Sequence, residues 1–247
     1  MDSIEDVAEP KKMALGPGKE ETLRQRQLAL IGKVIAGFSD KIEGHLADIQ
    51  ELTGRLGDLV ERASDSTQEN RETFAGILST IERHVKILAQ KSQHLNRFAQ
   101  RTGALSSTFD AGELVEETLS FSTRLARLRR VSLAQEAAKM SPSLHSDPMQ
   151  IHFLVSILID SMLARVSRGG KVILRTKSAE AGVVIEVEGH GTVDPESPSL
   201  SEKGNPYWPV VEKVVGDLGG RLQMNAIAND INRTALFLPT KQVPDTS

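Results

Sequence analysis

Cysteine is absent, which excludes disulfides, thiolate catalysis and cysteine-based zinc sites. Aromatic residues make up only 4% of the chain, with one Trp and one Tyr, so a core must be built from Leu, Ile, Val and Ala. An aliphatic core of this kind suits helical bundles. A basic excess is also missing. The net charge of −3 and pI near 6.1 argue against a general nucleic-acid binder. No stretch approaches the roughly 18 to 20 apolar residues of a membrane span. Residues 1–19 lack the apolar segment of a secretory leader and read as a tail, so a cytoplasmic protein is expected. A sensor domain before the first helix is not expected, and input is expected from a partner or a small ligand. Proline is missing between Pro17 and Pro142, and nothing there breaks a helix by removing a donor.

What fills that proline-free stretch is a repeat of aliphatic residues. Leu28, Ile31, Ile35, Phe38, Ile42, His45, Ile49, Leu52, Leu56 and Leu59 recur at spacings of three and four, a heptad seam. Residues 64–70 (SDSTQEN) are polar and turn-forming. A second seam follows through Phe74, Ile77, Ile81, Val85, Leu88, Leu95 and Phe98. Two long helices joined by a short turn make an antiparallel hairpin. Its wide apolar face predicts pairing with a second copy in a four-helix bundle.

After Thr102 and Gly103 the pattern changes. Residues 111–130 read as a helix capped by Asp110. Residues 131–134 read as a strand, 142–148 as a loop, and 151–166 as an apolar helix. Residues 172–176 and 183–187 form a hairpin across 179–182. Residues 189–205 read as a long loop and 208–218 as a helix ended by Gly219 and Gly220. Two strands, 221–227 and 234–238, close the chain. The expectation is an α+β fold: a helical hairpin followed by a two-layer α/β sandwich. The expected divisions are a tail at 1–21, the hairpin at 22–103, the sandwich at 104–240 and a second tail at 241–247.

Several stretches carry a resemblance. Residues 28–49 (LALIGKVIAGFSDKIEGHLADI), 96–103 (NRFAQRTG), 109–133 (FDAGELVEETLSFSTRLARLRRVSL), 147–150 (DPMQ), 169–176 (GGKVILRT), 182–187 (GVVIEV) and 219–222 (GGRL) follow one another as in the cytoplasmic core of sensor histidine kinases. That bacterial family joins a dimerisation and phosphotransfer hairpin to an ATPase domain of the gyrase and heat-shock-chaperone type. The resemblance implies a homodimeric two-component signalling protein.

It also places the family's functional positions, and most are changed. The phospho-accepting histidine falls on Asp40 and the adjacent acid on Lys41. A phosphoramidate needs an imidazole nucleophile and a carboxylate to take its proton. His45 is the alternative acceptor, although on the seam it reads first as a core residue. His84, beside the second seam, reads as core too, and His94 reads as more exposed. The metal-holding asparagine falls on Ser161, with Asp160 about 100° away around the helix, and an earlier asparagine position reads Ile157. The adenine-reading aspartate falls on Gly189. Gly191 is kept, and Val193 replaces a second glycine. Glu188 points to the opposite face of the strand, and only a one-residue shift of the loop would bring it in. The phosphate-cradling glycines fall on residues 203–209 (KGNPYWP), where Gly204 alone survives and Tyr207 and Trp208 are bulky.

The resulting expectation is a pseudokinase that acts by binding a response regulator, a partner histidine kinase, or a small ligand in the remodelled pocket. The hairpin surface at Asp40, Lys41, Glu43 and Gly44 is the expected docking site. No cofactor and no metal are expected. ATP and magnesium enter only if the chain is instead an active kinase with atypical motifs. A histidine phosphotransferase with a worn ATPase domain is the other alternative.

Overall fold

The computed structural model describes residues 17–62, 68–102, 106–136, 140–192, 207–228 and 230–240. Two helices open it: α1 (Pro17–Arg62) and α2 (Gln68–Thr102). At about 1.5 Å per residue they run roughly 70 Å and 50 Å. They are antiparallel, since His45 meets His84 while Lys41 and Lys91 both reach Ser120 on a third helix. Residues 64–67 of the predicted turn lie outside the described residues, and its last three, 68–70, already belong to α2. Most of the residues read as tails also lie outside the described residues, although α1 already begins at Pro17, inside the stretch read as the first one. Several large apolar residues of the hairpin stay exposed: Leu28, Ile35, Leu46 and Val60 on α1, and Leu78 and Val85 on α2.

The rest is an α/β sandwich. Strand β1 (Ser107–Asp110) leads into α3 (Ala111–Arg129), which Asp110 caps by accepting from the Glu113 amide at 2.8 Å. Strands β2 (Ser132–Glu136) and β3 (Ser143–Ser146) follow, then α4 (Pro148–Arg165). Asp147 caps α4, and Pro148 occupies its first turn, where a missing donor costs nothing. The long hairpin β4 (Lys171–Ala179) and β5 (Gly182–His190) precedes α5 (Trp208–Asp217), β6 (Arg221–Ala228) and β7 (Ile231–Pro239). Five strands form one sheet in the order β2-β4-β5-β7-β6, with β2 parallel to β4 and the other pairs antiparallel. The stretch 142–148, read as a loop, instead contains β3, which pairs antiparallel with β1 as a small second sheet. A four-residue strand is too short to show an alternation of its own.

Helices and sheet enclose one aliphatic core. Leu114, Ile151, Leu154, Ile159 and Leu163 meet Val172, Leu174, Ile185, Val187, Leu236 and Leu238, all essentially inaccessible to water. Each such side chain contributes about 1.5–3 kcal/mol by burial. The hairpin shares this core: Val34 of α1 and Phe98 of α2 are buried in it. Phe98 meets Phe121 and His152 edge-on, with ring centroids 5.4 and 5.2 Å apart.

Around Phe98 lies a charged joint. Glu117 of α3 is fully buried. Its carboxylate pairs with Arg101, lies 3.1 Å from Arg97 Nε and 3.3 Å from His152 Nε2. Arg97 also reaches Glu113 at 3.1 Å. The two arginines belong to α2, so the joint ties the hairpin to the sandwich. Glu117→Ala removes the buried partner of both arginines and leaves them only the more exposed Glu113. A loss of about 3 kcal/mol is expected in urea denaturation, at the low end for breaking a buried ion pair because Arg97 keeps some access to water. A loss under about 1 kcal/mol, the range of an exposed pair, would show that the joint does not hold the two parts together.

Candidate functional site

The hairpin positions singled out in the sequence converge where α1 meets α3. Gly37 is buried at this contact, and a Cβ on it would lie 3.6 Å from the Phe121 carbonyl oxygen, an ordinary van der Waals distance. One turn on, Lys41 is half-buried and donates to the Ser120 carbonyl at 2.9 Å and to the Thr123 hydroxyl. Lys91 of α2 donates to the Ser120 hydroxyl at 2.8 Å. Burial, then the charges of Lys91 and Arg127, lower the Lys41 pKa to about 8. Lys41 is thus turned onto α3, and of the expected docking residues Glu43 and Gly44 are exposed. The side chain of Asp40 lies outside the described residues.

His45 and His84, read separately as core residues, come together between the two helices. Their Nδ1 atoms are 3.1 Å apart and the rings meet edge-on. Asp48 Oδ2 lies 3.4 Å from His84 Nδ1. His84 is buried and His45 half-buried, and burial, followed by the charge of His84, pushes the His45 pKa down. A cavity of about 190 Å³ adjoins them, lined by Gly37, Lys41, Gly44, His45, Asp48, Arg124 and Arg127. His94, by contrast, corrects the expectation of exposure. It is buried at 3%, with Nε2 3.6 Å from Glu116 of α3, and its pKa is lowered by burial first. The hairpin's own periodicity could not show that α3 covers this turn of α2.

The second group of positions lies at the end of β5. Alternation along the strand sends Val183, Ile185, Val187 and Gly189 toward the helices, and Glu186 and Glu188 to the other face. A Cβ on Gly189 would lie 2.6 Å from Met162 Sδ and 2.7 Å from Val166 Cγ2, both contributed by α4 and its end. The place of the expected carboxylate is therefore filled from above. Glu188 is no substitute. It is tied on the outer face to Arg175 at 3.0 Å, to Arg233 at 2.8 Å and to His190 at 2.7 Å. Burial raises its pKa, but these three partners outweigh that and hold it at about 2. Ser161 sits half-buried on α4, and Gly191 adopts φ 132° beyond β5. These residues do not fit an adenine-anchored nucleotide, because the anchoring position has neither an acceptor nor room for one.

A hairpin followed by a mixed five-stranded sheet with helices on one face is the arrangement now described. The chain is similar to the cores of histidine kinases. The catalytic domain of ThkA matches at 16% identity with a TM-score of 0.48, over 55% of this chain and 95% of that one. ThkA in complex with the response regulator TrrA matches at 16% and 0.46, over 93% of this chain and 68% of that chain. A histidine kinase from Burkholderia phymatum matches at 14% and 0.46, over 89% and 98%. Identities and scores this low carry no residue-level inference. No protein-family model matches the sequence, and no curated protein aligns with it.

Of the remaining nucleotide positions in this histidine-kinase-like chain, Gly204 and Val193 lie outside the described residues. Trp208 opens α5 and packs against the core, and the neighbouring Tyr207 is exposed. Sequence reasoning missed Asp48, Lys91, Arg124 and Arg127. No local motif marks them, since they meet only when three helices pack.

The filled space over Gly189 is directly testable. Gly189→Asp is expected to lower stability by about 1–3 kcal/mol, the usual cost of overpacking a core, with no gain of nucleotide binding. Adding Met162→Ala to Gly189→Asp recovers part of the loss. Thermal and urea unfolding of the two variants decide it; an unchanged midpoint for Gly189→Asp would mean that the space is open.

Proposed function

We propose that this chain is a two-component signalling protein of histidine-kinase-like build that does not phosphorylate itself and acts by binding. One observation carries the proposal: the strand position that would present the adenine-reading carboxylate is a glycine with Met162 and Val166 packed over it. A base held by a buried hydrogen bond loses its selectivity when that acceptor is removed. The hairpin supports the same reading. Where the resemblance expects an acid beside the phospho-acceptor, Lys41 donates to α3 instead.

The binding role rests on two surfaces. The exposed Leu28, Ile35, Leu46, Val60, Leu78 and Val85 support a homodimer, because they leave apolar area on the hairpin in contact with water. The exposed Glu43 and Gly44, next to Asp40 and Lys41, are the place to dock a response regulator or a partner kinase. ThkA, to which the chain is similar, has been solved with the response regulator TrrA. No described helix is long and apolar enough to cross a membrane.

Titration of ATP with magnesium, by calorimetry and by Trp208 fluorescence, is the decisive test. No saturable binding is expected up to millimolar nucleotide. Magnesium-dependent binding in the submillimolar range would overturn the proposal in favour of an active kinase with atypical motifs.

A histidine phosphotransferase is the second reading, and one feature favours it. His45 shares its cavity with Lys41, Arg124 and Arg127, cations that would suit a phosphoryl group. Incubation with a phosphorylated response regulator separates the two readings. The binding role predicts no acid-labile phosphate on the chain; phosphate on His45, lost in His45→Gln, would establish the phosphotransferase.

A further inference from the structure

We propose that His45, Asp48 and His84 form a binding site for a divalent metal of the zinc class, bridging α1 and α2. The inference does not depend on the kinase or pseudokinase reading.

The donor atoms are already set. His45 Nδ1 and His84 Nδ1 are 3.1 Å apart, and Asp48 Oδ2 is 3.4 Å from His84 Nδ1. All three donors lie within 4.8 Å of one another. In a tetrahedral zinc site with bonds of about 2.0–2.1 Å, the edge between two donors is about 3.3 Å. Two sides of the triangle thus match that edge with little movement. His45 and Asp48 stand three residues apart on one face of α1, and His84 faces them from α2, so rigid elements hold the set.

The chemistry agrees with the geometry. Two imidazole Nδ1 lone pairs cannot face each other at this distance, so either a proton or a cation must lie between them. Two imidazoles and one carboxylate suit a borderline metal such as zinc better than magnesium or calcium, which prefer all-oxygen shells.

Two features shape the bound state. Arg83 Nη2 lies 3.4 Å from His84 Nε2. That nitrogen would carry the proton once Nδ1 binds metal, so Arg83, which is exposed, turns away. Lys41, Lys91, Arg124 and Arg127 make the surroundings positive, which opposes a bare cation. Their field favours water ionised to hydroxide, or another small anion, as fourth ligand. His45 and Asp48 both line the 190 Å³ cavity, so the open coordination position has space for it. The metal would then join α1 and α2 beside the lysines that grip α3.

Cobalt is the probe. The untagged, metal-stripped full chain is titrated with Co²⁺ and followed by visible absorption. Zn²⁺ and Mg²⁺ are compared by thermal unfolding. The expected result is one equivalent of tetrahedral cobalt per chain, displaced by zinc, with an unfolding midpoint that rises with zinc and not with magnesium. His84→Ala abolishes the band. Because that change also empties a buried position, Asp48→Asn serves as a second variant at an exposed residue. It leaves the far-UV circular dichroism unchanged and weakens cobalt binding at least the roughly tenfold that even an outer-shell partner is worth. No cobalt band and no midpoint shift at millimolar metal would overturn the proposal. So would a band of wild-type strength in both variants.

Discussion

A single carboxylate with no access to water, Glu117, sets the constraint from which the rest of the arrangement follows. An ionised carboxylate in a dry interior is costly unless its charge is met at close range. Here Arg97 and Arg101 meet it, and both come from α2 rather than from the sandwich. The sandwich itself supplies His152 at 3.3 Å, but the arginine cations that balance its buried charge come with the hairpin. Phe98, one residue beyond Arg97, is driven into the shared core by the same contact, and Val34 follows from α1. Burial and ion pairing act on one short length of helix, so neither needs a long interface.

Once the hairpin is held there, the next two turns of α1 lie against α3. Gly37 is buried at the contact, and Lys41 is drawn to the Ser120 carbonyl. A lysine half-removed from water is a weaker base than usual, and this one is lowered to about 8. Farther along, where α1 leaves α3, the cavity opens beneath Arg124 and Arg127, and His45 faces His84. The two histidines are near enough for one small cation, yet belong to helices that meet only in the folded hairpin. The proposed partner role and the proposed metal site thus occupy neighbouring turns of the same two helices, and both follow from the grip of α3 on α1.

Strand alternation decides the other half of the argument. On β5 the helix-facing set ends at Gly189, while Glu188 belongs to the outward set, which ends at His190. A carboxylate one residue from the expected place looks like a near miss in the sequence. In the sheet it is on the wrong side, fixed by two arginines and a histidine. The glycine that remains is packed under Met162 and Val166. At this end of β5 the helix-facing side is thus ordinary hydrophobic packing.

The sequence by itself determined the order and type of most elements. The heptad spacing of the hairpin, the Asp110 and Asp147 caps and the alternation of β4 and β5 are local signals. Each depends on residues only a few positions apart. It also determined which side chains are available at the positions that the kinase resemblance singles out. Packing alone decided what those side chains do. The β1–β3 pair was hidden because four-residue strands carry no period. His94 was misjudged because the helix that covers it lies more than a dozen residues farther along the chain. His45, Asp48 and His84 became one cluster only when α2 folded back on α1. The inward turn of Lys41 depended on a carbonyl 79 residues away. Periodicity reports which face of an element is apolar, whereas the partner of that face is set by contacts between distant segments.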